Sequence, residues 1–170
     1  MYSSLVSIKS QQLQIRVTPE EKAALRRLAR ASGLGVSSYV LSRTLPEARL
    51  RFGELVRGLR DGGDPRFVLA ELNDLLAGLS PVQLADAVAV APPEIWEISA
   101  LLQNYVAAMV EQASQQRDVA PPSWVRDVAP LERPYFATPL RALRLHLLRA
   151  APVAFKRRNI FVDSGVGARV

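Results

Sequence analysis

The sequence predicts a mainly α-helical protein. It opens on one short strand and two helices, continues as a helical region, and ends in a proline-rich tail that carries a helix and a short strand. Three observations predict this. Strict alternation of apolar and polar residues falls at residues 12–18, apolar residues recur at spacings of three and four over much of 20–118, and five prolines crowd residues 119–139. The 170 residues are 49% apolar, enough for a packed core. Cysteine is absent, which excludes a disulfide framework, thiolate metal sites and cysteine nucleophiles. The single histidine, His146, leaves almost nothing for a histidine metal site or a Ser–His triad. No enzyme activity, cofactor or metal site is therefore expected. No apolar run approaches the roughly 20 residues of a membrane span, and no signal peptide heads the chain. The expectation is a cytoplasmic protein with no membrane partner.

The strand is read from Gln12-Leu13-Gln14-Ile15-Arg16-Val17-Thr18, in which Leu13, Ile15 and Val17 alternate with Gln12, Gln14 and Arg16. The period changes at Thr18-Pro19-Glu20-Glu21. Thr18 can cap a helix, Pro19 suits its first position, and Glu21 stands where a capping box places its acid. Leu25, Leu28, Ala29 and Ser32 then share one side of the helix, with Lys22, Arg26 and Arg30 on another. Gly33 is a suitable stop, and Ser37 can cap a second helix through Val40, Leu41 and Thr44 to about Leu45-Pro46. A lone strand leaves its backbone donors and acceptors unsatisfied, so this segment calls for a second copy of the chain to supply an antiparallel partner.

In this order of signals, residues 12–45 resemble the DNA-binding head of ribbon-helix-helix regulators, a class that includes bacterial antitoxins and accessory proteins of plasmid mobilisation. The resemblance implies a homodimer on double-stranded operator DNA, with Gln12, Gln14 and Arg16 entering the major groove from a two-stranded ribbon. Glutamine suits adenine and arginine suits guanine, each good pair worth about 1–3 kcal/mol of discrimination. It further implies phosphate contacts at Ser37 and Ser38 on the second helix, with Lys9 and Arg43 as additional ones. The alternative is a solvated polar strand face and an ordinary cap.

From Pro46 a third helix places Ala48, Phe52, Leu55, Val56 and Leu59 on one face and Arg49, Arg57 and Arg60 on the other. That arginine row reads as a solvated face in preference to a DNA track. Asp61-Gly62-Gly63-Asp64-Pro65 is the clearest break and the expected hinge or domain boundary. Beyond it, Val68, Leu69, Leu72, Leu75, Leu76 and Leu79 mark one helix, and Ser80-Pro81 starts a short one to about Ala89. A longer helix is expected from Glu94 with Ile95, Ile98, Leu102, Tyr105 and Met109 in its stripe.

The tail combines prolines with Trp124, Tyr135 and Phe136, a composition suited to lying in a groove of its own domain or of another protein. Thr138-Pro139 starts a helix with Leu140, Leu143, Leu147 and Ala151 on one face and Arg141, Arg144 and Arg149 opposite. Arg157 and Arg158 close a basic cluster that leads into a short strand through Ile160 and Phe161. Trp124, Tyr135, Phe136, Arg141, Arg144, Arg157, Arg158, Ile160 and Phe161 are accordingly the candidate partner-binding residues. Gly165 and Gly167 are not set between a strand and a helix, so no phosphate-binding loop is read there.

Charge divides the chain as +5 over residues 1–64, −5 over 65–118 and +6 over 119–170. The divisions suggest a DNA-binding and dimerisation head, a helical connector and a partner-binding C-terminal segment, although an acidic middle can also offset basic ends within one fold. The leading functional expectation is an antitoxin that binds its operator with the head and neutralises a cognate toxin protein with the C-terminal region. The alternative is a relaxosome accessory protein or a plain repressor of the same class.

Overall fold

The computed structural model describes residues 14–31, 33, 35–37, 39–40 and 47–163. It divides the chain into two compact units, residues 1–44 and 45–170, the head and the body below. The expected segments 1–64, 65–118 and 119–170 do not coincide with these units. The difference arises because the helix after Pro46 and the proline-rich tail both pack into the body.

In the head, α1 spans Pro19–Ala31. Its start is the expected capping box: the Thr18 backbone N–H donates to Glu21 Oε2 at 2.8 Å, and the Glu21 N–H donates to Thr18 Oγ1 at 3.2 Å. Gly33 ends it with φ +66°, a left-handed conformation that costs glycine no Cβ clash, and donates its N–H to Arg30 O. A second helical stretch includes residues 36–37 and 39–40. It begins at Val36, so Ser37 lies within its first turn, and Gly35, whose carbonyl accepts from Tyr39 N–H at 2.8 Å, occupies the cap. Residues 14–18 belong to neither helix nor strand in the single chain, and Gln12 and Leu13 lie outside the described residues.

The body is built around α5 (Ala100–Gln116), which is buried along most of its length. Ala107, Ala108 and Ala113 keep its surface narrow, and Val106, Met109 and Val110 fill the layer around them. Against it lie α3 (Pro65–Gly78) and α4 (Pro81–Val88); α2 (Glu47–Arg60) packs on those two helices and on a 3₁₀ turn at Pro93–Trp96 that precedes α5. Phe52, Val56, Leu72, Leu84 and Ile95 are the large side chains fully buried among these elements. The long helix expected from Glu94 is broken: Glu97 ends the 3₁₀ turn, and Ser99 starts α5 by accepting from Leu102 N–H through its hydroxyl. The spacing of Ile95, Ile98 and Leu102 survives the break, which is why periodicity alone does not reveal it.

The expected hinge is instead a tight corner between packed helices. Gly62 has φ +88°, and the Gly63 N–H reaches back to Gly58 O at 2.9 Å, the six-to-one bond of a Schellman ending. A Cβ on Gly63 would stand 2.8 Å from that same oxygen. Asp64 then caps α3 by accepting from Arg66 N–H.

The tail folds despite its prolines. Trp124–Asp127 form a short α6, Arg141–Leu143 a 3₁₀ turn, Arg144–Ala150 α7 and Val153–Lys156 α8. β1 (Tyr135–Phe136) pairs in parallel with β2 (Ile160–Phe161), Tyr135 opposite Ile160 and Phe136 opposite Phe161. The strand near Ile160 is expected from the sequence; its partner is not, because two residues among prolines carry no periodic signal.

Candidate nucleic-acid interface

The head holds seven Lys/Arg against two Asp/Glu, leaving the body fifteen against fourteen from the chain totals of 22 and 16. Nearly all of the net charge therefore belongs to the smaller unit. Arg16, Lys22, Arg26, Arg27 and Arg30 are exposed, and none forms an ion pair among the described residues. Of the expected base contacts, Gln14 and Arg16 are both exposed, and Gln12 lies outside the described residues. Ser37 is exposed in the first turn of its helix, where hydroxyl and early backbone N–H groups can face an anion. Ser38, Lys9 and Arg43 lie outside the described residues.

Sequence reasoning did not select Arg27 as a possible contact, since it belongs to neither the apolar stripe nor the basic row of α1. Its exposure adds a cation to the head. Ile15 is 60% exposed and Val17 41%, so among the described residues these two apolar positions of the expected strand are left largely open. Leu25 and Ala29 turn inward from α1 as expected, Ala29 fully, whereas Leu28 remains half exposed.

The arginines of α2 behave differently from those of the head. Arg49 reaches Asp86 at 3.1 Å, Arg51 reaches Glu71 at 2.7 Å and Glu54 at 3.2 Å, Arg57 reaches Glu94 at 3.0 Å, and Arg60 bridges Asp61 and Glu97. These contacts turn the row inward on the body's own acidic helices, so it is neither a bare solvated face nor a free DNA track. The bond from its own backbone N–H, then Arg57, holds the Glu94 carboxyl below its ordinary range. Hydrogen bonding to Arg60 does the same for Asp61.

The candidate partner-binding residues separate into two groups. Trp124, Arg158 and Ile160 are buried in the body and present no surface. The Trp124 indole donates to Val88 O at 2.8 Å. Arg158 donates to Val125 O at 2.6 Å, Val128 O at 3.2 Å and Asn104 Oδ1 at 3.3 Å, with Glu111 Oε2 at 3.8 Å as its charge partner. Burial pulls the Arg158 pKa down, and Glu111 opposes that pull. Arg157 is exposed but donates to Glu111 Oε1 at 2.9 Å. Tyr135, Phe136, Arg141, Arg144 and Phe161 retain outward surface. Phe136 stacks on Phe161 with centroids 4.9 Å apart, and the Arg144 guanidinium lies 4.9 Å over the Phe136 ring.

The buried Arg158–Glu111–Asn104 group has no signature in the sequence, because its members lie 7 to 54 positions apart. Arg117 is another unexpected structural residue: it donates to Ala77 O at 2.6 Å and Leu79 O at 2.8 Å, closing the carbonyl end of α3.

Among the described residues no cluster of His, Cys, Asp and Glu is arranged to hold a metal ion, and no helix is long and apolar enough to cross a membrane. Comparison with curated proteins and with solved structures finds no match. A family model does match: residues 8–48, about a quarter of the chain and nearly all of the head, are similar to the NikA-like family, described as mobilization protein NikA.

Proposed function

We propose that the protein is a DNA-binding accessory protein of plasmid mobilisation, without catalytic activity of its own. It acts as a homodimer whose paired strands read a duplex at the transfer origin and help assemble the complex that processes that DNA. The observation that carries this reading is the similarity of residues 8–48 to the mobilisation family. The uncompensated positive charge of the head and the uncovered Ile15 and Val17 support it. A second antiparallel strand satisfies the backbone and covers the apolar side, while the other side presents Gln14 and Arg16 to the groove. The antitoxin reading, with a cognate toxin as partner, has no comparable support: much of the segment assigned to neutralisation is packed into the body.

The test is binding of the full chain to a transfer-origin duplex and to the duplex upstream of its own gene, followed by fluorescence anisotropy. Preference for the origin is expected, and Arg16→Ala should weaken it about 5–150-fold, the equivalent of 1–3 kcal/mol. Preference for the upstream duplex instead favours an autoregulator. Unchanged affinity of Arg16→Ala removes the strand from the interface. Sedimentation of a clean monomer at micromolar concentration defeats the ribbon arrangement altogether.

A further inference from the structure

Large exposed apolar side chains are scattered over most of the body, but they gather on the C-terminal helical segment. Leu140, Leu143, Leu145, Leu148 and Val153 are 60%, 45%, 62%, 43% and 57% exposed. Leu147 of the same helix is buried, so α7 is anchored by one side and leaves Leu145, Leu148 and Arg149, spaced i, i+3 and i+4, on the other. Arg141, Arg144 and Arg149 are all exposed in this segment, and none of them is joined to a carboxylate among the described residues. In α2, by contrast, all four arginines have found acidic partners within the body.

We infer that this face of α7 and the turn before it is a docking surface for an acidic, leucine- or phenylalanine-bearing peptide segment of a partner protein. The unpaired guanidiniums select carboxylates, and the leucines between them bury apolar side chains. A nucleic-acid backbone satisfies the charges but leaves the leucines in water. A second copy of this chain is a poorer occupant, because it is itself cationic, with 22 Lys/Arg against 16 Asp/Glu. Glu54, Glu71, Asp86, Glu94, Glu97 and Glu111 already serve its own arginines, and exposed carboxylates of the body outside those pairs, such as Glu47, Asp74, Asp118, Asp127 and Glu132, are not gathered in one segment of the sequence. The surface therefore fits a different protein whose carboxylates are free. The identification of that protein as a member of the mobilisation complex rests on the proposed function; the chemistry of the surface does not.

The experiment is selection of a random dodecamer peptide library on the full-length protein, with affinities of the enriched peptides measured by anisotropy. Enriched peptides should combine Asp or Glu with Leu, Ile or Phe. Arg141→Glu, Leu145→Ser, Leu148→Ser and Arg149→Glu together should weaken them by about tenfold or more. Arg66→Glu with Phe67→Ser, an exposed cation and an exposed aromatic on α3, should leave them unchanged. Circular dichroism checks folding, and the single exposed change Arg149→Glu, expected to weaken binding about threefold or more, replaces the fourfold variant if that variant unfolds. The inference is overturned by enrichment of peptides without the acidic–apolar combination, or by equal affinity for the fourfold variant. A fourfold variant that loses duplex affinity without losing peptide affinity identifies a nucleic-acid contact instead, and one that changes the sedimentation of the full chain identifies a contact between copies. Failure of the Arg16→Ala test would refute the DNA-reading strand and leave this peptide measurement intact.

Discussion

The head and the body solve the same two problems in opposite ways. Both carry many arginines and both have apolar residues to cover. In the body every cation of α2 meets a carboxylate, and Ile160, Phe155 and Trp124 close a continuous core. In the head Arg16 and the basic side of α1 meet none among the described residues, and Ile15 and Val17 remain open. A unit balanced internally has little electrostatic reason to seek a polyanion; a unit left at seven cations to two carboxylates does. The difference supports the proposed DNA binding by the smaller unit more firmly than its net charge alone, since the body also contains many arginines and has cancelled them.

The comparison can be broken most forcibly at Arg158. Arg158→Ala orphans the buried carbonyls of Val125 and Val128 and removes the farther of the two guanidiniums beside Glu111, which keeps Arg157 at 2.9 Å. It should cost the body about 2–5 kcal/mol in urea unfolding, from two buried acceptors left without donors, while leaving the duplex affinity proposed for the head unchanged. A loss below 1 kcal/mol would mean that the buried group does not hold the tail in place. On the head side, Thr18→Ala removes one half of the capping box. It should cost about 1 kcal/mol, seen as earlier loss of helical circular dichroism from α1 with the body's denaturation midpoint unchanged.

Acid sharpens the same contrast. The Glu94 carboxyl is held below its ordinary range in the folded body, so the stability it contributes is present above the unfolded carboxylate pKa. That stability is lost as pH falls through the lowered folded value. The melting temperature of the wild-type body should therefore fall below about pH 4.3, and Glu94→Gln should flatten part of that fall; identical profiles would show that Glu94 is not a contributor. The smallest effect is expected at Arg51, whose two ion pairs are half exposed on both sides. Arg51→Ala should change stability by less than about 1 kcal/mol, and by less still in high salt.

The features legible in the sequence were local. Thr18, Glu21 and Gly33 announce the ends of α1 because capping chemistry operates over three or four residues, and Ser80-Pro81 announces α4 for the same reason. The apolar stripes of α2 and α3 likewise mark their buried faces. What stayed hidden depends on distant positions meeting: Arg49 with Asp86, Arg57 with Glu94, Arg158 with Asn104, Trp124 with Val88. A tryptophan among prolines reads equally as a partner anchor or as a core residue until the chain is folded, and here it is the latter. Of the residues proposed to face DNA, Gln14 and Arg16 follow from alternation alone, because a strand with one polar side declares which residues face outward.

The placement of Phe155, Ile160 and Val162 in the core has a consequence for the order of synthesis. The body cannot close until residue 162 has been made, about 120 residues after the head is complete, or roughly 6–24 s at bacterial or eukaryotic elongation rates. If the head pairs as proposed, it has that interval in which to meet a neighbouring nascent copy, while the body trails behind as an unfinished chain. Two copies translated from one message would then meet head first, and a chain broken off before Ile160 would keep the end proposed to read DNA while losing its folded body. On the proposed function, such fragments would occupy the same DNA without bringing the inferred partner surface with them.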